Sequence, residues 1–290
     1  MGAAEQHVRR LAGVRVGVPD PRETAGFLRD GLGFACVEAG DGGAWHVMCA
    51  GDYGPQGQLA IELVAHERRE LLRVRFAVGA GDSVEAVVAA LEAAGVAHEA
   101  AAGGAVHFAD PAGNPLSVEP ATAALVPLPA PGALRPRRLG HLNLKAPSAP
   151  AAAAFYQDVL GMRLSEQIGE ALFFLRLGSE HHNLGIRPGG AGELHHLGFE
   201  VDGWHLYQPF LDRLAAMGVQ VEYGPGRHTP GNNIFTYVRD PHSGLRIELF
   251  ADMGHIADEA SHEPHRWDAG DRMSKTINRW GPTPPESFLA

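Results

Sequence analysis

Two cysteines, Cys36 and Cys49, in 290 residues leave no basis for a disulfide framework and point to reduced thiols. No stretch approaches the roughly 20 uninterrupted apolar residues that a membrane helix needs. The opening Met1-Gly-Ala-Ala-Glu-Gln-His lacks an apolar core of the signal-peptide kind, so a cytoplasmic location is expected. Basic charge is also short. Lys and Arg number 24 against 34 Asp and Glu, a net charge of −10. That balance disfavours nucleic acid as a partner, because phosphate contacts need clustered cations. The compact basic run Arg135-Pro-Arg-Arg138 reads as solvated linker. A phosphate loop is missing too: Gly224-Pro-Gly226 has no following Lys and reads as a turn presenting His228.

Histidine is plentiful instead. Eleven of the 16 lie from His141 onward, so the two halves of the chain are expected to do different work. A segment with five prolines, Pro120 to Pro136, separates them. The halves share one plan. Gly13-Val-Arg-Val-Gly-Val18 alternates like a strand and precedes a helical stretch and Gly31-Leu-Gly-Phe34. Gly140-His-Leu-Asn-Leu-Lys145 precedes an Ala-rich helix and Val159-Leu-Gly-Met162. Leu71–Val78 matches Leu194–Val201, each followed by a helix, Ser83–Ala94 or Trp204–Met217, with Gly95 or Gly218 placed as a C-cap. Asp110-Pro and Asp240-Pro mark equivalent turns. The predicted fold class is α+β: tandem βαβββ units forming two modules with curved mixed sheets, each around a cavity. The expected boundaries are 1–120, a linker at 121–138, a second module at 139–252, and a tail at 253–290.

The copies diverge at informative positions. In register, His141 falls opposite Val14, His196 opposite Arg73, and Glu248 opposite or beside Ser117. Strand alternation puts His141 and Asn143 on one face, and Arg246, Glu248 and Phe250 on another strand's single face. A carboxylate flanked by apolar residues in a strand is costly without a cation or hydrogen-bond partner. Two imidazoles and one carboxylate describe the facial triad of non-haem iron(II) oxygenases, which leaves cis positions open. The three are 55 and 52 positions apart in the chain.

At motif level the chain resembles the type I extradiol ring-cleaving dioxygenases of the vicinal oxygen chelate superfamily. The resemblance is carried by Gly-His-Leu-Asn (140–143), His-His-Asn-Leu-Gly-Ile (181–186), Leu-His-His-Leu-Gly-Phe (194–199), Gly-Pro-Gly-Arg-His (224–228), Tyr237 and Arg-Ile-Glu-Leu-Phe (246–250). It implies His141, His196 and Glu248 as metal ligands, with His196 preferred to His195, and Fe(2+) as cofactor with Mn(2+) as the alternative. It further implies His182 as the acid–base histidine beside the oxygen site, and His228 with Tyr237 as the pair that binds the ring hydroxyls. Asn143 and Asn232 match further polar positions. Pro230-Gly231, where some biphenyl-type enzymes carry Asn-Asp, argues against a biphenyl diol. The expected reaction opens a catechol ring beside the diol with both atoms of O2, and a homo-oligomer is expected.

Two other classes compete: a glyoxalase- or epimerase-like enzyme of the same superfamily, and a non-catalytic binder of small aromatics. The glyoxalase type draws four ligands, and the first half offers no clear candidate. The polar tail after Asp252, with Trp267, Trp280 and Phe288, either covers the pocket or a subunit contact, or is a loose end.

Overall fold

The computed structural model describes residues 6–50, 56–121, 125–127, 134–271 and 273–289. Half of the linker at 121–138 therefore lies outside the described residues. Within it, only a short strand (β9, Leu125–Pro127) is assigned before the chain resumes at Leu134.

The first half contains β1 (Arg10–Val18), α1 (Pro21–Leu32), β2 (Ala35–Ala39), β3 (Ala44–Cys49), β4 (Gln56–Ala65), β5 (Glu70–Ala77), α2 (Val84–Ala93), β6 (His98–Ala100), β7 (Val106–Ala109) and β8 (Pro115–Glu119). The second repeats the order: β10 (Arg138–Ala146), α3 (Ala149–Asp158), β11 (Arg163–Ile168), β12 (Leu172–Arg176), β13 (Leu184–Pro188), β14 (Leu194–Glu200), α4 (Tyr207–Ala216), β15 (Tyr223–Arg227), β16 (Ile234–Arg239) and β17 (Arg246–Ala251). Each half is thus two successive strand–helix–three-strand units. Both sheets are mixed. β1 runs parallel to β4 and antiparallel to β5, as β10 does to β13 and β14.

The helices begin where local chemistry favours it. Asp20 accepts hydrogen bonds from the Arg22 and Glu23 amides ahead of Pro21, and Ser148 caps α3 through the Ala151 amide. Gly95 and Gly218 carry positive φ just past α2 and α4, as the sequence predicts. The stretch from Trp204 to Leu206 forms a tight 3₁₀ turn, so α4 proper starts at Tyr207.

Pairing corrects one alignment. Gly13 faces Arg75 as His141 faces Gly198, so the counterpart of His141 is Gly13, one residue from Val14. Matching Gly13 to Gly140 misleads because those glycines serve different ends. A Cβ on Gly140 would strike the Phe250 ring, and one on Gly13 the Leu59 carbonyl. The basic run is also not simply solvated: Arg138 opens β10 and pairs with Glu180 and Glu200, all three partly buried.

The modules are stitched reciprocally. Asp240, in the second module's Asp-Pro turn, accepts from the Thr24 hydroxyl of α1 at 2.8 Å. Asp110, in the first module's turn, accepts from the Tyr156 hydroxyl of α3 at 2.9 Å. All four side chains are buried, and a single apolar core continues through both halves.

The segment after β17 is ordered along the second module. It forms β18 (His265–Trp267), which pairs in parallel with β11, then α5 (Met273–Thr276) and α6 (Glu286–Leu289). Trp267 Nε1 donates to Glu166 at 2.6 Å, and Phe288 packs against Tyr223, Tyr237 and His195.

Candidate metal centre and pocket

Three neighbouring strands bring the candidate ligands together. His141 of β10 pairs with Gly198 of β14, and Gly198 pairs with Glu248 of β17. His196 lies two residues from Gly198, hence on the same face of β14. Gly198 is the space that the site requires. A Cβ there would stand 2.2 Å from Cε1 and 2.4 Å from Nε2 of His141, inside the imidazole.

The donor atoms converge. His141 Nε2 is 2.8 Å and His196 Nε2 3.2 Å from Glu248 Oε2, and the two imidazole nitrogens are 3.3 Å apart. Three ligands about 2.1 Å from one ion at right angles would have mutual separations of about 3.0 Å, the edge of an octahedral face. The residues present therefore fit a divalent cation held from one side. Burial opposes ionisation of Glu248, but the adjoining His141 and His196 outweigh it and hold the carboxyl well below its usual range. His196 is pushed down to about 4, chiefly by burial against the raising effect of Glu248. Both arrangements favour the deprotonated forms that bind metal.

Groups behind the ligands fix their orientation. Asn233 Nδ2 donates to Glu248 Oε1 at 3.1 Å. With His196 Nε2 turned to the ion, its Nδ1–H donates to His195 Nδ1 at 2.7 Å. His195 Nε2 lies 2.8 Å from the Phe288 carbonyl and 2.7 Å from Arg187 Nη1. Burial keeps His195 well below the usual imidazole range, so it stays neutral. His141 Nδ1 is buried without a partner among the described residues.

One cavity of about 220 Å³ is lined by His141, Asn143, His182, His196, His228, Tyr237 and Glu248. Its apolar wall includes Ile168, Leu172 and Phe174, and the tail contributes Ile277, Pro284, Phe288 and Leu289. The His182 ring lies tilted, 4.6 Å from the His141 ring between centroids, with Nδ1 2.9 Å from His181 Nδ1. Burial, reinforced by the neighbouring imidazoles, holds His182 well below the usual range. His228 Nδ1 donates to the Ile277 carbonyl at 2.5 Å, leaving Nε2 to accept from the Tyr237 hydroxyl at 3.0 Å. Burial and then Glu248 push the Tyr237 phenol well up, so it remains a donor.

Asn232 does not join this group. Its backbone is left-handed at φ 55°, and its exposed Oδ1 accepts from Arg227 and Arg279 at 3.0 Å. The turn directs Asn233 inward instead. Strand alternation gives no rule inside a turn, so the sequence does not say which of the two asparagines faces the cavity.

Residues 8–118 and 138–249 match the profile of the Glyoxalase/Bleomycin resistance protein/Dioxygenase superfamily. Metapyrocatechase 2 of Cupriavidus necator is 36% identical over 158 residues, 53% of this chain and 47% of the relative. A manganese-dependent 2,3-dihydroxybiphenyl 1,2-dioxygenase of Geobacillus genomosp. 3 is 29% identical over 143 residues, 46% of this chain and 45% of the relative. The matches therefore span about half the length of these curated relatives. Among solved structures, a Mn(II)-bound glyoxalase from Novosphingobium aromaticivorans superposes with a TM-score of 0.83 at 25% identity, covering 98% of this chain and 94% of that one.

Proposed function

This chain belongs to the glyoxalase/bleomycin resistance protein/dioxygenase superfamily, and on that premise we propose that it is an extradiol dioxygenase. It opens a catechol-type ring beside the diol, adding both atoms of O2 to give a muconic semialdehyde type of product. The observation that carries this reading is the octahedral-face spacing of His141, His196 and Glu248 in a cavity shared with His182, His228 and Tyr237. The relatives named for catechol and dihydroxybiphenyl cleavage support it.

When bound, iron(II) would supply the Lewis-acid and redox chemistry, with manganese(II) the competing metal. The chain's own residues do the rest. With substrate bound, the Tyr237 hydroxyl turns from His228 Nε2 to hold the ring oxygen, and the freed Nε2 lone pair takes a catechol hydroxyl proton. Neutral His182, with Nδ1 against His181, offers its other ring nitrogen to stabilise developing negative charge and deliver a proton. The tail adds Phe288 and Leu289 to the apolar wall that Ile168 and Leu172 also line. A cavity of about 150 Å³ holds a benzene ring. The 220 Å³ here suits one ring rather than two.

A glyoxalase-type chemistry would draw a fourth protein ligand, and the cluster among the described residues has three. The test is a panel of substituted catechols with protein reconstituted separately with Fe(II) and Mn(II) under air. A yellow product with equimolar oxygen uptake supports the proposal. Tight catechol binding by metal-free protein, with no uptake under either metal, would replace it with a binding protein.

A further inference from the structure

A second, larger cavity of about 670 Å³ lies between the two modules. Its volume is within the range of small-molecule sites, and module boundaries are a common place for them. Five cations line it: Arg68 and Arg69 from the first module, and Lys145, Arg239 and Arg246 from the second. The chain as a whole has a net charge of −10, so this concentration runs against its composition.

The acidic partners do not balance these cations. Arg68 pairs with Glu70 at 3.2 Å and Lys145 with Glu193 at 2.9 Å. Arg239 and Arg246 share one carboxylate, Glu222, each at 2.7 Å. Arg69 has no carboxylate within ion-pair distance among the described residues. Its guanidinium donates through Nη1 to the Gly244 carbonyl, and its side chain is only partly exposed. Burial, and then the fields of Arg239 and Arg246, lower its pKa, with Glu193 acting in the opposite sense. A guanidinium fork is suited to bidentate capture of carboxylate or phosphate oxygens.

We propose that this inter-module cavity binds a small dianion of the dicarboxylate or phosphate class, anchored by Arg69 and flanked by Arg239 and Arg246. The assignment is independent of the ring-cleavage reading. His195 lines both this cavity and the metal pocket, so the two sites share a wall.

Calorimetric titration of the full chain at low ionic strength, with inorganic phosphate in one series and succinate in another, tests the site. Saturable uptake of at least one probe at a single site is expected, and the tighter probe identifies the class. Arg69→Gln should weaken binding by about 10-fold, the loss of one charge-assisted contact. Glu193→Gln should tighten it several-fold, a change of sign that misfolding does not imitate. Arg22→Gln, which removes an exposed charge elsewhere, should leave it unaltered. Failure of both probes to saturate would overturn the proposal. So would wild-type affinity in both Arg69→Gln and Glu193→Gln, which would mark an adventitious ion only.

Discussion

The His141 imidazole lies in the space that a side chain on Gly198 would fill, and Gly198 sits between His141 and Glu248 in the strand pairing. Gly198→Ala is therefore expected to displace the ring while leaving the sheet hydrogen bonds intact. Metal affinity should fall by about 10- to 100-fold, as when other supports of a ligand are lost. Metal analysis after dialysis, beside an unchanged far-UV circular dichroism spectrum, checks this. Full metal retention would show that the ring can shift without losing the ion.

Metal removal should destabilise the protein as well as silence it. A ligand that binds only the folded state at 100 times its dissociation constant adds about 2.7 kcal/mol. Chelator-treated protein should melt lower, and titration with Fe(II) or Mn(II) should restore the melting temperature in a concentration-dependent way. Equal melting with and without metal would contradict a divalent cation at His141, His196 and Glu248.

His182 and Tyr237 should separate kinetically. His182→Ala is expected to lower kcat by about 10²- to 10⁴-fold, the usual range for a lost general acid or base, with metal content kept. Tyr237→Phe removes the hydroxyl that donates to His228 Nε2, and it should raise KM for the catechol more than His182→Ala does. Stopped-flow and steady-state oxygen uptake distinguish the two. Retained turnover in His182→Ala would remove the role assigned to that residue.

Acid should loosen the tail through Glu222. Burial raises its carboxyl pKa, but Arg246 and Arg239 overcome that and hold it below the ordinary 4.5. Because the folded value is depressed, the stabilisation is fully present above 4.5 and disappears as pH falls through the folded value. Arg239 and Arg246 also donate to the Ser287 carbonyl, so the same network secures α6. Glu222→Gln should thus melt below the wild type at pH 7, and the two should converge in acid. A difference that persists unchanged at pH 3 would place its origin elsewhere.

The duplicated architecture was legible because strand alternation, Asp-Pro turns and C-cap glycines recur in both halves, and each has a local physical cause. The convergence of His141, His196 and Glu248 followed from residue type at strand positions whose counterparts carry no ligand chemistry. What escaped depends on three-dimensional register. Gly198 looks like any strand glycine until pairing sets it under His141. Asn233 could not be told from Asn232 without the left-handed backbone of Asn232 itself. The tail has little periodicity, and only the folded chain shows Phe288 against Tyr237.

The crossed bonds Thr24–Asp240 and Tyr156–Asp110 have a consequence for the independence of the halves. Each half supplies a turn aspartate and borrows a helix hydroxyl, although the borrowed groups differ, Tyr156 lying one helical turn further along than Thr24. Such give-and-take is how two identical subunits meet across a two-fold axis. The pseudo-two-fold exchange makes each module's turn a structural support of the other module's helix. Asp110, in the module whose described residues form no metal-ligating cluster, therefore still bears on the site-bearing module through Tyr156 of α3.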